Sequence, residues 1–138
     1  MNPTLESKRV VVIDCQDHWR ELSIGALRAE GFTVEVLDNY DFPPVPPGEE
    51  PDLVILGCAR IRPEELELIK RILDQKLHLL VLSTSLPWQV MRHLFLAGAD
   101  DVTDKPYNPE HLVNIVTEVF KGLSPRDSFQ TTARRGQS

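Results

Sequence analysis

The chain has 138 residues, of which 41% are hydrophobic and 26% are charged, and its formal net charge is −6. This length supports one domain with a single core, and the composition excludes a chain that is disordered throughout. Basic residues are scattered, so no Lys/Arg stripe marks a nucleic-acid surface, and no apolar run is long enough to cross a bilayer. The N-terminus lacks the basic-then-apolar order of a secretory signal, and we therefore expect a cytoplasmic location without membrane association.

Strand and helix patterns alternate in the first half of the chain. A β-branched run at 9–13 predicts a central strand, and the apolar face that follows Asp17 predicts a helix ending at Gly31. Further strands are predicted at 33–37 and at 51–56, the second from a continuous apolar run. Between these strands, four prolines exclude a helix and predict an extended, polyproline-like segment: Pro43, Pro44, Pro46 and Pro47.

The second half of the chain continues the same alternation. A helix is predicted from Pro63, a strand at 79–83, a helix closed by Gly98, a short strand near 101–103 and a last helix at 108–122. Alternating strands and helices require crossover connections, which favour a mostly parallel sheet with helices on both faces.

Two segments of different character follow from these patterns. Residues 1–122 are predicted to form the domain, whereas residues 123–138 contain almost no apolar side chains. We expect this C-terminal segment to be a disordered tail or a linker.

A family resemblance rests on three stretches: the first strand ending in Ile13 and Asp14, the strand at 51–56, and Ala-Gly-Ala-Asp-Asp at 97–101 followed by Lys105 and Pro106. In this register the chain resembles the CheY-like receiver domains of bacterial response regulators, the phosphorylatable switches of two-component phosphorelay signalling. The resemblance implies a doubly wound, flavodoxin-like α/β fold with five parallel strands in the order 2-1-3-4-5. The proline-rich segment here replaces the second helix of the family.

The phosphorylation pocket of the family is matched only in part. The resemblance places Asp14 at the first Mg²⁺-binding acid, Cys15 at the second acid and Gly57 at the phosphate-accepting aspartate. Mg²⁺ needs several carboxylate oxygens, and glycine has no nucleophile. We therefore expect no metal site, no cofactor and no phosphorylation, which makes the pocket degenerate.

Four more positions match this pocket. Ser83 corresponds to the hydroxyl residue that senses the phosphoryl group, Lys105 to the lysine that pairs with it, and Val102 stands at the aromatic switch position. Pro106 corresponds to a family proline that follows a cis peptide bond. Ser83 and Lys105 either retain a switch or are structural, with Lys105 paired to Asp14 and Ser83 bonded locally. The missing acids favour the structural interpretation.

The sequence therefore predicts a pseudo-receiver that is not an enzyme and that acts by binding a protein partner or a second copy, independently of phosphorylation. Leu96 and Val113 are candidate interface residues because helical spacing turns both outward on the last two helices, which are the fourth and fifth helices of the family. The prolines at 43–47 either dock into an aromatic groove or only cover the sheet where a helix was lost.

A sensor that reuses the crevice for a small ligand or for redox chemistry is the alternative. Cys15 and Cys58 follow neighbouring strands of the predicted sheet, but their spacing is not that of a CxxC motif or a metal site. Two thiols in a cytosolic chain are typically buried small apolar residues. No base, nucleophile and orienting group form one set. We also expect Cys58 to point away from the pocket, which opposes a disulfide.

Overall fold

The computed structural model describes residues 8–106 and 108–123, and the expected tail lies outside them from residue 124 onward. All five strands belong to one parallel sheet: β1 (Arg9–Asp14), β2 (Thr33–Leu37), β3 (Leu53–Cys58), β4 (Leu79–Ser83) and β5 (Asp101–Asp104). The order across the sheet is β2-β1-β3-β4-β5. This order confirms the predicted doubly wound fold.

Four helices flank the sheet in the described part of the chain: α1 (Asp17–Ala29), α2 (Pro63–Asp74), α3 (Trp88–Ala97) and α4 (Pro109–Gly122). Prolines open α2 and α4, where the missing N–H costs no helical hydrogen bond. The Asn108 side chain caps α4 by accepting a hydrogen bond from the His111 N–H at 2.7 Å. No helix among these residues is long and apolar enough to cross a membrane.

The sheet separates two hydrophobic layers. Successive strand residues point to opposite faces, so Val10 and Val12 of β1 pack with α1 and α4, whereas Val11 and Ile13 pack with α2 and α3. Both faces of β3 are covered, and all six of its residues are buried. This burial explains why the strand is a continuous apolar run rather than an alternating one.

The proline-rich connection between β2 and β3 contains no helix, as predicted. It covers the α2 side of the sheet with Phe42, which is buried, and with the partly buried Val45. The Val45 N–H donates to Gln75 Oε1 at 2.8 Å, which ties the segment to the residue after α2. The segment therefore covers the sheet, as one of the two sequence interpretations predicted, and all four of its prolines are exposed.

The outward-facing apolar residues differ from those predicted. Leu96 of α3 is 75% exposed, as expected. Val113 of α4 is partly buried and packs against the α1 and α4 layer, so it faces outward less than expected. The reason is that the buried face of α4 is wider than the face predicted from the helical spacing of its apolar residues. Conversely, Trp88 at the start of α3 is 65% exposed, which the sequence analysis missed, and Phe95 is 37% exposed.

Candidate functional site

The candidate site lies at the carboxyl ends of β1 and β3, where ligand crevices form in open α/β sheets. Asp14 is the last residue of β1, and in the parallel register it lies opposite Gly57 of β3. The Asp14 side chain is fully buried. Two neighbouring strands therefore place a carboxylate directly beside a residue without a side chain.

Gly57 leaves space that Asp14 fills. A Cβ atom at position 57 would lie 2.1 Å from Asp14 Oδ2, far inside van der Waals contact, and 3.3 Å from Lys105 Cε. The Asp14 carboxylate thus occupies the volume into which any side chain at position 57 would extend. Any side chain at position 57 would therefore force the Asp14 carboxylate to move.

Lys105, just past β5, reaches into the same space and is nearly buried. Its Nζ lies 2.8 Å from Asp14 Oδ2 and donates a hydrogen bond to Gln16 Oε1. The same ammonium group lies 4.5 Å from the centre of the Trp19 ring, a cation–π distance. Trp19 Nε1 donates to the Pro106 carbonyl at 3.1 Å, which anchors the Lys105 loop to α1.

Asp14 is held at both carboxylate oxygens. Oδ1 accepts a hydrogen bond from the Gln16 N–H at 2.7 Å, and beyond the Lys105 ion pair Oδ2 has no partner among the described residues. Burial raises the pKa of Asp14 above its ordinary value, and the Lys105 contacts oppose this shift. The expected pairing of Lys105 with Asp14 is present.

The other pocket residues have structural environments. Ser83 is buried, and its Oγ lies 2.9 Å from the Ser85 carbonyl and 3.2 Å from the Ala59 carbonyl, which is the local bonding expected. Val102 is buried in the α2 and α3 layer. The bond before Pro106 is trans, so the expected cis bond is wrong. The trans form is favoured by about 0.5–1 kcal/mol even before proline.

A cavity of about 500 Å³ adjoins the Asp14 and Lys105 pair, and sequence reasoning missed its outer wall. There the buried Glu65 of α2 accepts hydrogen bonds from Tyr40 Oη and Arg62 Nη2, both at 2.7 Å. Burial raises the pKa of Glu65, but these hydrogen bonds outweigh burial and lower it. The sequence carries one signal for this wall. Glu65 is the third residue of the helix that begins at Pro63, which is typical of a capping box.

Both cysteines line this cavity, so the expectation that Cys58 points away from it is wrong. Cys15 is exposed and Cys58 is buried. Burial raises the pKa of the Cys58 thiol to about 11. Burial, together with the Asp14 carboxylate, also raises the pKa of Cys15. Neither thiol is therefore activated as a nucleophile at neutral pH.

The pocket residues do not fit Mg²⁺. Within 8–106 and 108–123, no group of three His, Cys, Asp or Glu side chains is arranged to hold a metal ion. The Asp14 carboxylate already has a cation beside it, because Lys105 Nζ lies 2.8 Å away. A divalent ion in this place would be repelled by the ammonium group and would have Asp14 as its carboxylate ligand without a second acid from Cys15 or Gly57.

Solved structures similar to this chain are receiver domains. A response regulator from Thermotoga maritima is 25% identical with a TM-score of 0.70, and the match covers 84% of this chain and 99% of that one. The non-phosphorylated HemR receiver domain from Leptospira biflexa is 20% identical with a TM-score of 0.71, covering 86% and 98%. The chemotaxis response regulator CheY4 of Vibrio cholerae is 21% identical with a TM-score of 0.65, covering 82% and 98%.

This chain has the receiver-domain fold. The similarity spans nearly the full length of each of these solved structures. No protein-family model matches the chain, and no curated protein sequence matches it. The fold is thus shared at low sequence identity.

Substituting Gly57 by Ala tests whether Asp14 needs the empty volume. We expect a loss of about 1–3 kcal/mol in the free energy of unfolding, because the new Cβ overlaps Asp14 Oδ2. Urea unfolding measures this loss. Gly25→Ala in α1 is the matched control, since a Cβ there has nothing within 4 Å and should stabilise the helix by up to about 1 kcal/mol. Equal stability of Gly57→Ala and the wild type would contradict the packing.

The pH dependence of the stability of Lys105→Met tests the buried ion pair. Without Lys105 the pKa of Asp14 rises further, so the folded state holds this proton to higher pH than the unfolded state does. The contribution of Asp14 to stability is then present below its ordinary pKa of 3.8 and is lost as pH rises. We expect a cost of about 3 kcal/mol at pH 7.5 and a smaller cost at pH 5.

Urea unfolding of Lys105→Met at both pH values measures this difference. Adding Asp14→Asn removes the titrating group and should abolish the pH dependence. A cost that is equal at pH 5 and pH 7.5 would show that Asp14 is not the group left unpaired.

Proposed function

We propose that this chain is a pseudo-receiver, an interaction module of two-component-type signalling that works without phosphorylation and without enzymatic activity. In this proposal Gly57 stands at the position of the phosphate acceptor and Cys15 at the position of the second acid. The observation that carries the proposal is the Asp14 carboxylate, which fills the volume above Gly57 and pairs with Lys105.

The chemistry of this arrangement opposes phosphoryl transfer at two points. Transfer to a receiver needs a nucleophilic carboxylate at the end of β3, and Gly57 has none. It also needs a divalent cation beside that carboxylate, and Lys105 compensates the Asp14 charge instead. Even an aspartate placed at position 57 would have its Cβ 2.1 Å from Asp14 Oδ2.

A partner surface on α3 supports the second part of the proposal. Trp88 and Leu96 are 65% and 75% exposed, and Phe95 beside them is 37% exposed. Aromatic and aliphatic side chains that remain in water on one helix mark an interaction surface. We propose that this surface binds a second copy of the chain or another protein. The exposed prolines at 43–47 are a second candidate interface, while Val113 contributes less because it packs inward.

Acetyl phosphate with Mg²⁺ tests the absence of phosphorylation. We expect no gain in intact mass, because no acceptor carboxylate and no metal site are available at the ends of β1 and β3. A receiver that carries the acceptor aspartate is the positive control for the reagent. One acid-labile phosphoryl group on the wild-type chain, lost in Asp14→Ala, would overturn the proposal.

Introducing negative charge on the exposed surface of α3 tests whether this surface is an interface. We expect the double substitution Trp88→Glu and Leu96→Glu to weaken self-association roughly tenfold or more, because two exposed anchors are lost. Sedimentation over a concentration series measures association, and urea unfolding should change by only about 0.5 kcal/mol. Leu22→Glu in α1, where the leucine is 42% exposed, is the matched control. A wild type that stays monomeric throughout, or an equal effect of Leu22→Glu, would place the interface elsewhere.

A further inference from the structure

Cys15 and Cys58 continue the register between β1 and β3. The last registered pair of these strands is Asp14 with Gly57, so Cys15 and Cys58 are the next residues along. Alternation along each strand places both on the face that carries Ile13 and Leu56, the α2 and α3 layer. Both residues line the same cavity, and the Cys58 thiol lies 3.9 Å from the Leu82 carbonyl of β4.

The spacing of adjacent strands suits a disulfide. Neighbouring strands lie about 4.8 Å apart, and disulfides join Cα atoms about 4.4–6.8 Å apart. β1 ends at Asp14, so Cys15 stands in the bend that follows rather than in the ladder. Cys15 is exposed and meets solutes first, whereas Cys58 is buried. This order gives one thiol that reacts with an external reagent and a second that resolves the product.

We propose that Cys15 and Cys58 are a redox pair that forms a reversible intramolecular disulfide with a low-molecular-weight disulfide, such as glutathione disulfide, as oxidant. Cys15 loses its proton, attacks one sulfur of the oxidant and forms a mixed disulfide, and one glutathione thiolate leaves. The Cys58 thiolate then attacks Cys15 Sγ and releases the second glutathione thiolate. Two protein thiols are oxidised, one disulfide is reduced, and the two released protons pass to the two leaving thiolates.

The disulfide acts on the pocket through Gln16. This residue follows Cys15 directly, its N–H donates to Asp14 Oδ1, and its side chain accepts from Lys105 Nζ. Joining Cys15 to β3 therefore tethers the loop that holds the buried ion pair.

Glutathione disulfide in excess at pH 8, followed by acid quenching and alkylation of free thiols, tests the pair in the full chain. We expect the intact mass to fall by two hydrogens, a peptide map to contain Cys15 linked to Cys58, and dithiothreitol to reverse both results. The Cys58→Ala variant should instead keep one glutathione on Cys15, because no resolving thiol is present.

The Cys15→Ser variant, at an exposed position, supplies a second comparison should Cys58→Ala fail to fold. We expect it to remain unmodified in the native state, because Cys58 is buried. Three results on the wild-type chain would overturn the proposal: a stable mixed disulfide on Cys15 with Cys58 free, a dimer linked through Cys15, or no modification. None of these results bears on phosphorylation, so this proposal and the pseudo-receiver proposal fail independently.

Discussion

The ion pair between Asp14 and Lys105 above Gly57 is the constraint on which the crevice depends. It connects the end of β1 to the residue after β5, and the ends of β3 and β4 lie between them in the sheet. A buried pair of this kind contributes little net stability, because desolvation offsets the Coulomb attraction, but removing one partner leaves a costly lone charge. The ion pair therefore determines where the Asp14 and Lys105 side chains lie more than it adds to the stability of the fold. Glycine at position 57 is the condition for this arrangement, because any side chain there would displace the carboxylate.

The absence of a helix between β2 and β3 determines what lies beside this pair. A helix would supply its own apolar stripe, whereas here Phe42 and Val45 fill the layer from an extended segment. Tyr40, in the same connection, donates to Glu65 and joins it to the Arg62 network. These contacts form the outer wall of a cavity that reaches both cysteines. The crevice is thus closed at Asp14 by the ion pair, and Tyr40 of the proline-rich connection belongs to its outer wall.

Most of the fold was predictable from local patterns, because parallel strands and flanking helices impose periods of 2 and 3.6 on the sequence. The apolar run at 53–56 and the prolines at 43–47 were interpreted correctly for this reason. Details that depend on tertiary packing were not predictable. Examples are the partial burial of Val113, the exposure of Trp88 and the trans bond before Pro106, which each depend on neighbours far apart in sequence. The pairing of Asp14 with Lys105 was predictable only through the family resemblance.

A lysine whose charge is already paired within its own chain cannot respond to the binding of an external anion. Lys105 contacts the Asp14 carboxylate, the Gln16 side chain and the Trp19 ring, so its charge is compensated in the folded state. A ligand shifts a conformational equilibrium only by its difference in affinity for the two states. An anion at this pocket would first have to break the buried pair, which opposes binding. Control of this domain is therefore expected to act at places that the pair leaves free, namely the exposed α3 surface and the cavity that the two thiols line.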